Sequence, residues 1–468
     1  MKIPIINGIY SDENGDYRTS YPVNYVPVPK STGINEGYLY PAEGINLIAY
    51  GTGPDRGGIN VNGVCYRAMG SNFVRVNSDD TVDTLGFIGG IGQISLCYSF
   101  DNIGISSGGN LYYWNILAST LTQVTDPDLG VCNFVNWLDG YFVSTDGESM
   151  VVTDLANPMS VNPLKYGSSE VMPDPILSLP ILRNTLYAAN RYSIESFQNI
   201  GGSLFPFQRI DGAFIQRGCV GAAAICVFDD QLAFLGGGLN EPVAVWLGLN
   251  AQSKKISTRE IDLRIQQHSE SVLAKAIIEV RTFDSHNFLY VHLPDQTLVY
   301  DAQETAEMGI SMWHVLSSAS SGIGRYSAIN FVFCYNKWIF GDRETNKIGT
   351  FTNKTGEHYG ELVGWEFQTT IIYNDGMGAI FWEVELMCLS GNVLNGTSPQ
   401  IATQYSTDQG ITWSVPRFRL AGKIGEREKR LNWLQNGTMN DRRIQKFTGQ
   451  SDSHLTISCL NARIEGLN

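Results

Sequence analysis

Short apolar segments recur along most of the chain, separated by tight-turn residues such as Asn-Gly, Asp-Gly and Asp-Asn. The recurring unit is an apolar strand, a turn of two to four residues, a second strand, a Gly- or Asp-rich turn and a third strand. Seven segments fit this unit, and they begin at Ile59, Gln93, Asn133, Ile176, Ala222, Ile277 and Ala328. Their first turns start near Asn62, Asp101, Asp139, Arg183, Asp229, Asp284 and Tyr335, which lie between 38 and 55 residues apart.

This repeat predicts an all-β chain containing a β-propeller of six or seven blades over residues 51–362. A three-stranded meander cannot bury both of its faces alone, but a ring of such sheets can, and one blade takes roughly 40 to 50 residues. The segment STREIDLRIQQHSESVLAKAII interrupts the repeat and predicts a short helix, N-capped by Ser257 or Thr258, that links two blades.

The two ends of the chain depart from the repeat. After about Trp365 the apolar strands lengthen, which predicts an additional β-sandwich-like domain over residues 363–468. Residues 1–50 contain four prolines between positions 22 and 41 in a Tyr-rich polar context. We expect them to form an extended N-terminal arm that packs on a neighbour.

Composition narrows the functional classes. The net charge of −14 argues against generic duplex binding, which needs Lys and Arg to neutralise phosphates. The eight cysteines stand singly with no C-x-x-C pair, so we expect reduced core thiols and folding in a reducing cytoplasm. The first residues lack a signal-peptide core, and the longest apolar run, CVGAAAICVF, is too short to span a bilayer.

One segment reverses the overall charge. Residues 417–446 contain nine Lys or Arg against three Asp or Glu, a net charge of +6. We call these nine residues the basic strip: Arg417, Arg419, Lys423, Arg427, Lys429, Arg430, Arg442, Arg443 and Lys446. A solvated hairpin face explains the strip most simply, an interface with a subunit or partner comes next, and direct nucleic-acid contact comes last.

Two local patterns resemble binding motifs without fulfilling them. AYGTGPDRGG spaces its glycines wrongly for a dinucleotide loop, and a strand follows where a helix is required. Asp284, His286 and His292 could form a base or metal set, but the two histidines are expected about 20 Å apart along one strand. A hydrogen-bonded turn at Asp284 fits the repeat better.

The strongest local motif is STDQGITWS, an Asp box formed by Ser406, Asp408, Gly410 and Trp413. Its Asp can accept hydrogen bonds from turn amides, its Gly can take a positive φ, and its Trp can pack over the turn. These roles are structural. The motif is nevertheless known from sialidases, so a glycan-active or glycan-binding propeller stays as an alternative, as does a propeller interaction scaffold.

Several stretches together resemble the packaged-DNA stabilisation proteins, the tail accessory or tail-nozzle family of short-tailed tailspike phages. The resemblance rests on YPVNYVPVPK, GYLYPAEGI, PDPILSLPILRNTLYAANRYSIESFQNIG, IQRGCVG and especially RTFDSHNFLYVHLPDQTLVYDA. It continues more loosely through KRLNW, DRRIQKF and ARIE, and so spans about Tyr21 to Glu465.

The resemblance implies a non-enzymatic virion protein, made in the host cytoplasm and assembled into a six-copy ring. Such a ring joins the portal and its adaptor ring on one side, and holds a tail needle or plug and supports tailspikes or fibres on the other. It closes the channel after packaging, retains the genome, and lets double-stranded DNA pass at ejection without sequence-specific binding. The resemblance supplies no catalytic residue, cofactor-binding residue, cofactor or metal ligand, and we assign none.

Overall fold

The described part of the chain contains seven small sheets in a ring and a two-sheet sandwich. The computed structural model describes residues 1–11, 16–30, 37–155, 157–202, 204–391 and 399–467. Each propeller sheet is antiparallel, each contacts the next in chain order, and sheet 7 contacts sheet 1. The described residues therefore form a closed seven-bladed propeller, within the predicted range of six or seven.

The strands of the first four sheets follow one another in the chain. Sheet 1 contains Asp55–Val61, Val64–Met69, Asn72–Val76 and Val82–Phe87; sheet 2 contains Ser95–Tyr98, Asn102–Ser107, Asn110–Asn115 and Thr120–Gln123. Sheet 3 contains Phe134–Leu138, Tyr141–Thr145, Ser149–Asp154 and Asn157–Ser168; sheet 4 contains Ile176–Ser178, Ile181–Leu182, Thr185–Asn190, Ile194–Asn199 and Phe207–Ile215.

The last three sheets are connected by the helices, and the seventh contains the strand that closes the ring. Sheet 5 contains Gly218–Cys219, Ile225–Phe228, Gln231–Gly237, Ala244–Leu249 and Gln252–Lys255; sheet 6 contains Ile277–Phe283, His286–His292, Thr297–Asp301 and Met312–Leu316. Sheet 7 contains Ile329–Cys334, Lys337–Gly341, Lys347–Thr352 and Gly44–Tyr50. Helices α1 (Arg259–Gln266) and α2 (Glu270–Leu273) link sheets 5 and 6. Helix α3 (Ala302–Met308) connects the third and fourth strands of sheet 6. Thr258 caps α1, as predicted.

The hairpin turns that revealed the repeat have the expected backbone. Asn62, Asp139 and Asp229 have φ values of 52°, 51° and 48°. Such positive values are what a tight two-residue hairpin requires, and Asn and Asp tolerate them better than most residues. Asp101 is not among the positive-φ residues; its turn is closed by the Ser99 amide donating to the Asn102 carbonyl at 2.9 Å.

The ring is closed by a strand from the N-terminal segment. Gly44–Tyr50 pairs antiparallel with Lys347–Thr352, with Tyr50 opposite Lys347 and Gly44 opposite Thr352. Buried polar groups reinforce this closure, because the Arg67 guanidinium lies 2.7 Å from the Asp55 carboxylate and Asn330 donates to the same carboxylate at 2.7 Å. Sheets 1 and 7 are thus joined by directional bonds as well as by apolar packing.

The sandwich also takes strands from the N-terminal segment. Its first sheet contains Tyr25–Pro29, Gly37–Pro41, Ile457–Gly466, Ala379–Cys388 and Leu431–Leu434, with Lys2–Ile3 and Thr438–Met439 paired at the side. Its second sheet contains Gly364–Gln368, Arg442–Gln450, Gln400–Ser406 and Arg417–Leu420, with Ile372–Tyr373 at the side. A core that includes Trp365, Phe367, Trp433 and Phe447 fills the space between the sheets.

The first 50 residues therefore connect both domains of their own chain. We expected an extended arm that packs on a neighbour, but strands of this segment pair within the molecule instead. The segment also forms a small hairpin of Gly8–Ser11 and Tyr17–Ser20. Asn24 lies at the junction, where its side chain donates to the carbonyls of Ser317 and Gly364 at 2.9 and 2.7 Å. Intrachain pairing satisfies backbone groups that an unpaired arm would expose.

All eight cysteines are free thiols, and six of them are buried. No helix among the described residues is long and apolar enough to cross a membrane.

Candidate interaction surface

The Asp box forms the end of a hairpin in the second sandwich sheet. The Ser406 hydroxyl donates to Asp408 Oδ1 at 2.7 Å and accepts from the Gly410 amide at 2.8 Å. Asp408 Oδ1 also accepts from the Thr412 amide at 2.9 Å, and Gly410 has a φ of 88°. The Lys446 ammonium lies 4.3 Å from the centroid of the Trp413 ring. The hydrogen bonds of Ser406 and Asp408 hold the turn together, and the Lys446 contact joins the box to the neighbouring strand Arg442–Gln450.

Arg443 does not belong to an exposed strip. Its side chain is fully buried, with the guanidinium 4.2 and 3.8 Å from the ring centroids of Phe381 and Tyr405. It donates to the Asn436 carbonyl at 2.7 Å and to Gln445 Oε1 at 2.9 Å. Burial disfavours the charged form and lowers the pKa of Arg443 to about 9. The sequence interpretation is corrected here, because this arginine is a core residue of the sandwich.

Two further arginines of the basic strip meet carboxylates of their own chain. Arg430 Nε lies 2.6 Å from Glu385 Oε1, and Arg442 Nη2 lies 2.6 Å from Asp441 Oδ2. Arg442 also donates to the Tyr17 hydroxyl of the N-terminal hairpin. Part of the charge counted along the sequence is therefore balanced within the molecule.

Arg417 and Arg419 connect the edges of the two sandwich sheets. Arg417 Nη2 donates to the Leu434 carbonyl at 2.7 Å, and Arg419 Nε donates to the Asn432 carbonyl at 2.9 Å. Both acceptors lie in Leu431–Leu434, the outer strand of the first sheet. Sequence reasoning missed this role, because the acceptors are backbone carbonyls whose position depends on the packing of two sheets.

The remaining cations lie in an exposed loop beside apolar side chains. Lys423, Arg427 and Lys429 are exposed in the loop after strand Arg417–Leu420. That strand is the outer strand of its sheet, and Phe418 and Leu420 are 54% and 48% exposed. We call residues 417–430 the edge surface. The alternation R-F-R-L was visible in the sequence, but charge counting alone overlooked its apolar half.

The histidines considered as a metal pair have different partners. Asp284 lies in a turn with a φ of 49°, as the repeat predicted. His286 Nδ1 lies 2.7 Å from Asp301 Oδ2, whereas His292 Nδ1 lies 2.9 Å from the Thr297 hydroxyl. The hydrogen bond with Asp301 raises the pKa of His286. His286 and His292 share no ligand position, as their separation along the strand predicted.

Two family models match the chain in the order of its two domains. Residues 1–356 match the β-propeller model of bacteriophage P22 Gp10, and residues 364–465 match the β-sandwich model of the same protein. The chain belongs to the P22 Gp10 family. This membership confirms the resemblance inferred from the sequence, and it confirms the predicted combination of propeller and sandwich.

A relative of this chain agrees with the family assignment. The tail hub protein gp10 of Salmonella phage P22 is 26% identical over 487 residues, which cover 99% of this chain and 99% of that protein.

Among solved structures, the N-terminal domain of Nup159 matches at 9% identity and a TM-score of 0.43, covering 71% of this chain and 98% of that chain. The Neurospora crassa Pan2 WD40 domain matches at 10% identity and a TM-score of 0.43, covering 66% of this chain and 95% of that chain.

Proposed function

We propose that the protein is the structural tail hub, or nozzle, of a short-tailed phage and a component of its virion. The observation that carries this proposal is the match of both domains, in order and over nearly the whole chain, to P22 Gp10 and its tail hub relative. The finer proposal is a homohexameric ring below the portal and adaptor. The ring closes the DNA channel after packaging, retains the genome and conducts it during ejection.

The charge of the protein suits a conduit for DNA. A net charge of −14 repels a phosphate backbone at short range, so duplex DNA passes without adhering. The basic residues that could bind phosphate are used within the sandwich or confined to the edge surface. The proposal therefore assigns DNA a transient passage and no sequence-specific site.

The edge surface supports a role in docking. It combines exposed cations with exposed aromatic and aliphatic side chains on the outer strand of a sheet, a mixture that suits an interface with an acidic partner. We propose that this partner is the adaptor ring or a neighbouring subunit. The opposite side of the ring holds the tail needle or plug and supports tailspikes or fibres.

Native mass spectrometry of the purified chain with its portal and adaptor tests the hub proposal. We expect a complex that contains six copies of the chain. A chain that stays monomeric with both partners present would overturn the proposal. A fluorogenic sialoside assay addresses the enzymatic alternative, and we expect no turnover because the Asp box contacts serve the turn.

Charge reversal tests the docking role of the edge surface. Lys423→Glu together with Lys429→Glu should weaken binding to the adaptor or to the next subunit at least tenfold, because both side chains are exposed. Lys254→Glu with Lys354→Glu makes the same change in net charge at exposed positions of the propeller, and serves as the matched control. Equal binding by the two variants would remove the edge surface from the interface.

A further inference from the structure

A compact polar cluster lies at one end of sheet 6. It contains His286, Asp301 and Glu304, whose nearest ligand atoms all lie within 4.8 Å of one another. Among the residues that the structure describes, this is the one group of three or more His, Cys, Asp or Glu side chains that brings ligand atoms so close together. Neither the repeat nor the hub function requires such a group.

The fold holds all three side chains in place. His286 begins the second strand of sheet 6 directly after the turn at Asp284. Asp301 ends the third strand and caps α3, where its Oδ1 accepts from the amides of Gln303 and Glu304 at 3.0 and 3.2 Å. Its other oxygen, Oδ2, is thereby left to face His286 Nδ1 at 2.7 Å. Two adjacent strands and the first turn of a helix therefore converge on one point.

Glu304 is the residue of the cluster that is buried without a full set of hydrogen-bond partners. The residue is only 4% exposed; its Oε1 lies 3.8 Å from His286 Nδ1, and its Oε2 is buried without a hydrogen-bond partner. A buried carboxylate oxygen without a donor destabilises the fold unless the group is protonated or binds a cation. Burial and the nearby Asp301 carboxylate raise the pKa of Glu304 to about 7. The unpartnered Glu304 oxygen is therefore one that a cation in the cluster could satisfy.

We propose that His286 Nδ1, Asp301 Oδ2 and the Glu304 carboxylate bind one divalent first-row transition cation, with Zn²⁺ the best fit. One imidazole and two carboxylates match the ligands that Zn²⁺ accepts at about 2.0 to 2.2 Å, with water in the remaining position. Tetrahedral ligand atoms at those bond lengths stand about 3.3 Å apart. The observed separations of 2.7 and 3.8 Å from His286 Nδ1 lie on either side of that value, and all three ligand atoms lie within 4.8 Å of one another. Side-chain shifts that change these separations by up to about 1.5 Å would therefore bring the set to bonding geometry.

A cation at this point would fix α3 against sheet 6. The helix also contacts Tyr25–Pro29, the N-terminal strand that belongs to the sandwich. The proposed metal thus stabilises the side of the propeller on which the N-terminal segment joins the two domains. This role is independent of the hub function and holds whether or not the chain assembles into a ring.

Metal titration of the full-length protein tests the site directly. The chelator-treated chain should bind one Zn²⁺ in isothermal titration calorimetry, and Co²⁺ should give visible absorption bands typical of low coordination number. Glu304→Gln should lower Zn²⁺ affinity at least tenfold, and His286→Asn should remove the Co²⁺ bands. Glu148→Gln alters an exposed carboxylate in a turn of sheet 3, outside the cluster, and should leave both measurements unchanged.

Several results would overturn the proposal. Wild-type protein that takes up no stoichiometric Zn²⁺ or Co²⁺ would do so whether or not the variants fold. Zn²⁺ affinity that is unchanged in folded Glu304→Gln or His286→Asn would place the metal elsewhere, and tighter binding of Ca²⁺ than of Zn²⁺ would reject the metal class.

Proton competition gives a second readout. Affinity should fall as the pH falls from about 8 to 6, because the ligands must be deprotonated. Asp284 interacts electrostatically with His286, and Glu307 interacts with Glu304. His314 lies beside the cluster, and burial lowers its pKa to about 4. Binding that does not change over this pH range would contradict coordination by His286 and Glu304.

Discussion

The propeller and the sandwich each bury an arginine completely, but they compensate its charge differently. Arg67 in the propeller lies 2.7 Å from the Asp55 carboxylate, and both side chains are inaccessible to solvent. Arg443 in the sandwich has no carboxylate partner among the described residues; two aromatic rings, a carbonyl and a side-chain amide oxygen surround it. One charge is paired with an opposite charge, and the other is held by dipoles and ring faces.

The difference follows from what each arginine joins. Arg67 and Asp55 lie in sheet 1, and both bond to Asn330 of sheet 7, so the ion pair fixes the closure of a ring. Arg443 lies on an inner strand of the sandwich and fills space between residues of one core. The ion pair therefore fixes two propeller sheets relative to each other, whereas hydrogen bonds and ring contacts hold Arg443 inside the core of the sandwich.

Replacing each arginine by Met should distinguish the ion-paired arginine from the unpaired one. The larger loss of unfolding free energy is expected in the propeller. Arg67→Met leaves Asp55 as a buried unpaired carboxylate and should lower the free energy of unfolding by about 3–5 kcal/mol in urea denaturation. Arg75→Met breaks a half-exposed pair with Asp83 in the same sheet and should lower it by less than about 1 kcal/mol. Equal losses in the two variants would show that the closure does not depend on the buried pair.

Arg443→Met should destabilise the sandwich by about 2–3 kcal/mol, because the Asn436 carbonyl and Gln445 lose a charged donor. The expected loss is smaller than for Arg67→Met, since no buried charge remains. Hydrogen exchange on peptides from residues 400–450 should report this loss, while peptides from sheets 1 and 7 stay protected. A loss larger than that of Arg67→Met would reverse the comparison.

The junction between the domains should respond to acid. Burial lowers the pKa of His454 to about 4; its Nε2 faces the Asn24 carbonyl at 2.5 Å, and its Nδ1 is buried without a partner. Because this pKa is lower in the folded than in the unfolded chain, stability is complete above about pH 6.5 and is lost as the pH falls toward 4.

For this single histidine the loss should reach about 2 kcal/mol by pH 5. His454→Gln should flatten the pH dependence of urea unfolding by that amount. An unchanged pH dependence would mean that other groups govern acid unfolding.

The smallest effect is expected at the Asp box. Asp408→Ala removes the acceptor of the Ser406 hydroxyl and of the Thr412 amide, and should cost the sandwich about 1 kcal/mol without affecting the propeller. Asp211→Ala, in an almost fully exposed side chain, should cost nothing measurable and serves as the control. A global loss of stability in Asp408→Ala would mean that this turn supports more than its own hairpin.

The sequence by itself determined the repeat and the family. Turns such as Asn62 and Asp139 are local, because a positive φ depends on the residue and its immediate neighbours, so the seven units could be counted without a structure. The order and spacing of the longer motifs were likewise sufficient for the resemblance that the family models confirm. The isolation of His292 from His286 followed from strand geometry alone.

Only the tertiary structure decided which distant residues meet. Tyr50 pairs with Lys347 because the ring closes on a strand almost 300 residues away, and no local pattern encodes that pairing. Arg443 is buried because the rings of Phe381 and Tyr405 reach it from other strands. The sequence could not show those contacts, so Arg443 was counted with the basic strip. Asp301 meets His286 only once the register of sheet 6 places Asp301 opposite Phe288. Burial and pairing arise from long-range packing, whereas turn chemistry is local, and this difference separates what could be predicted from what could not.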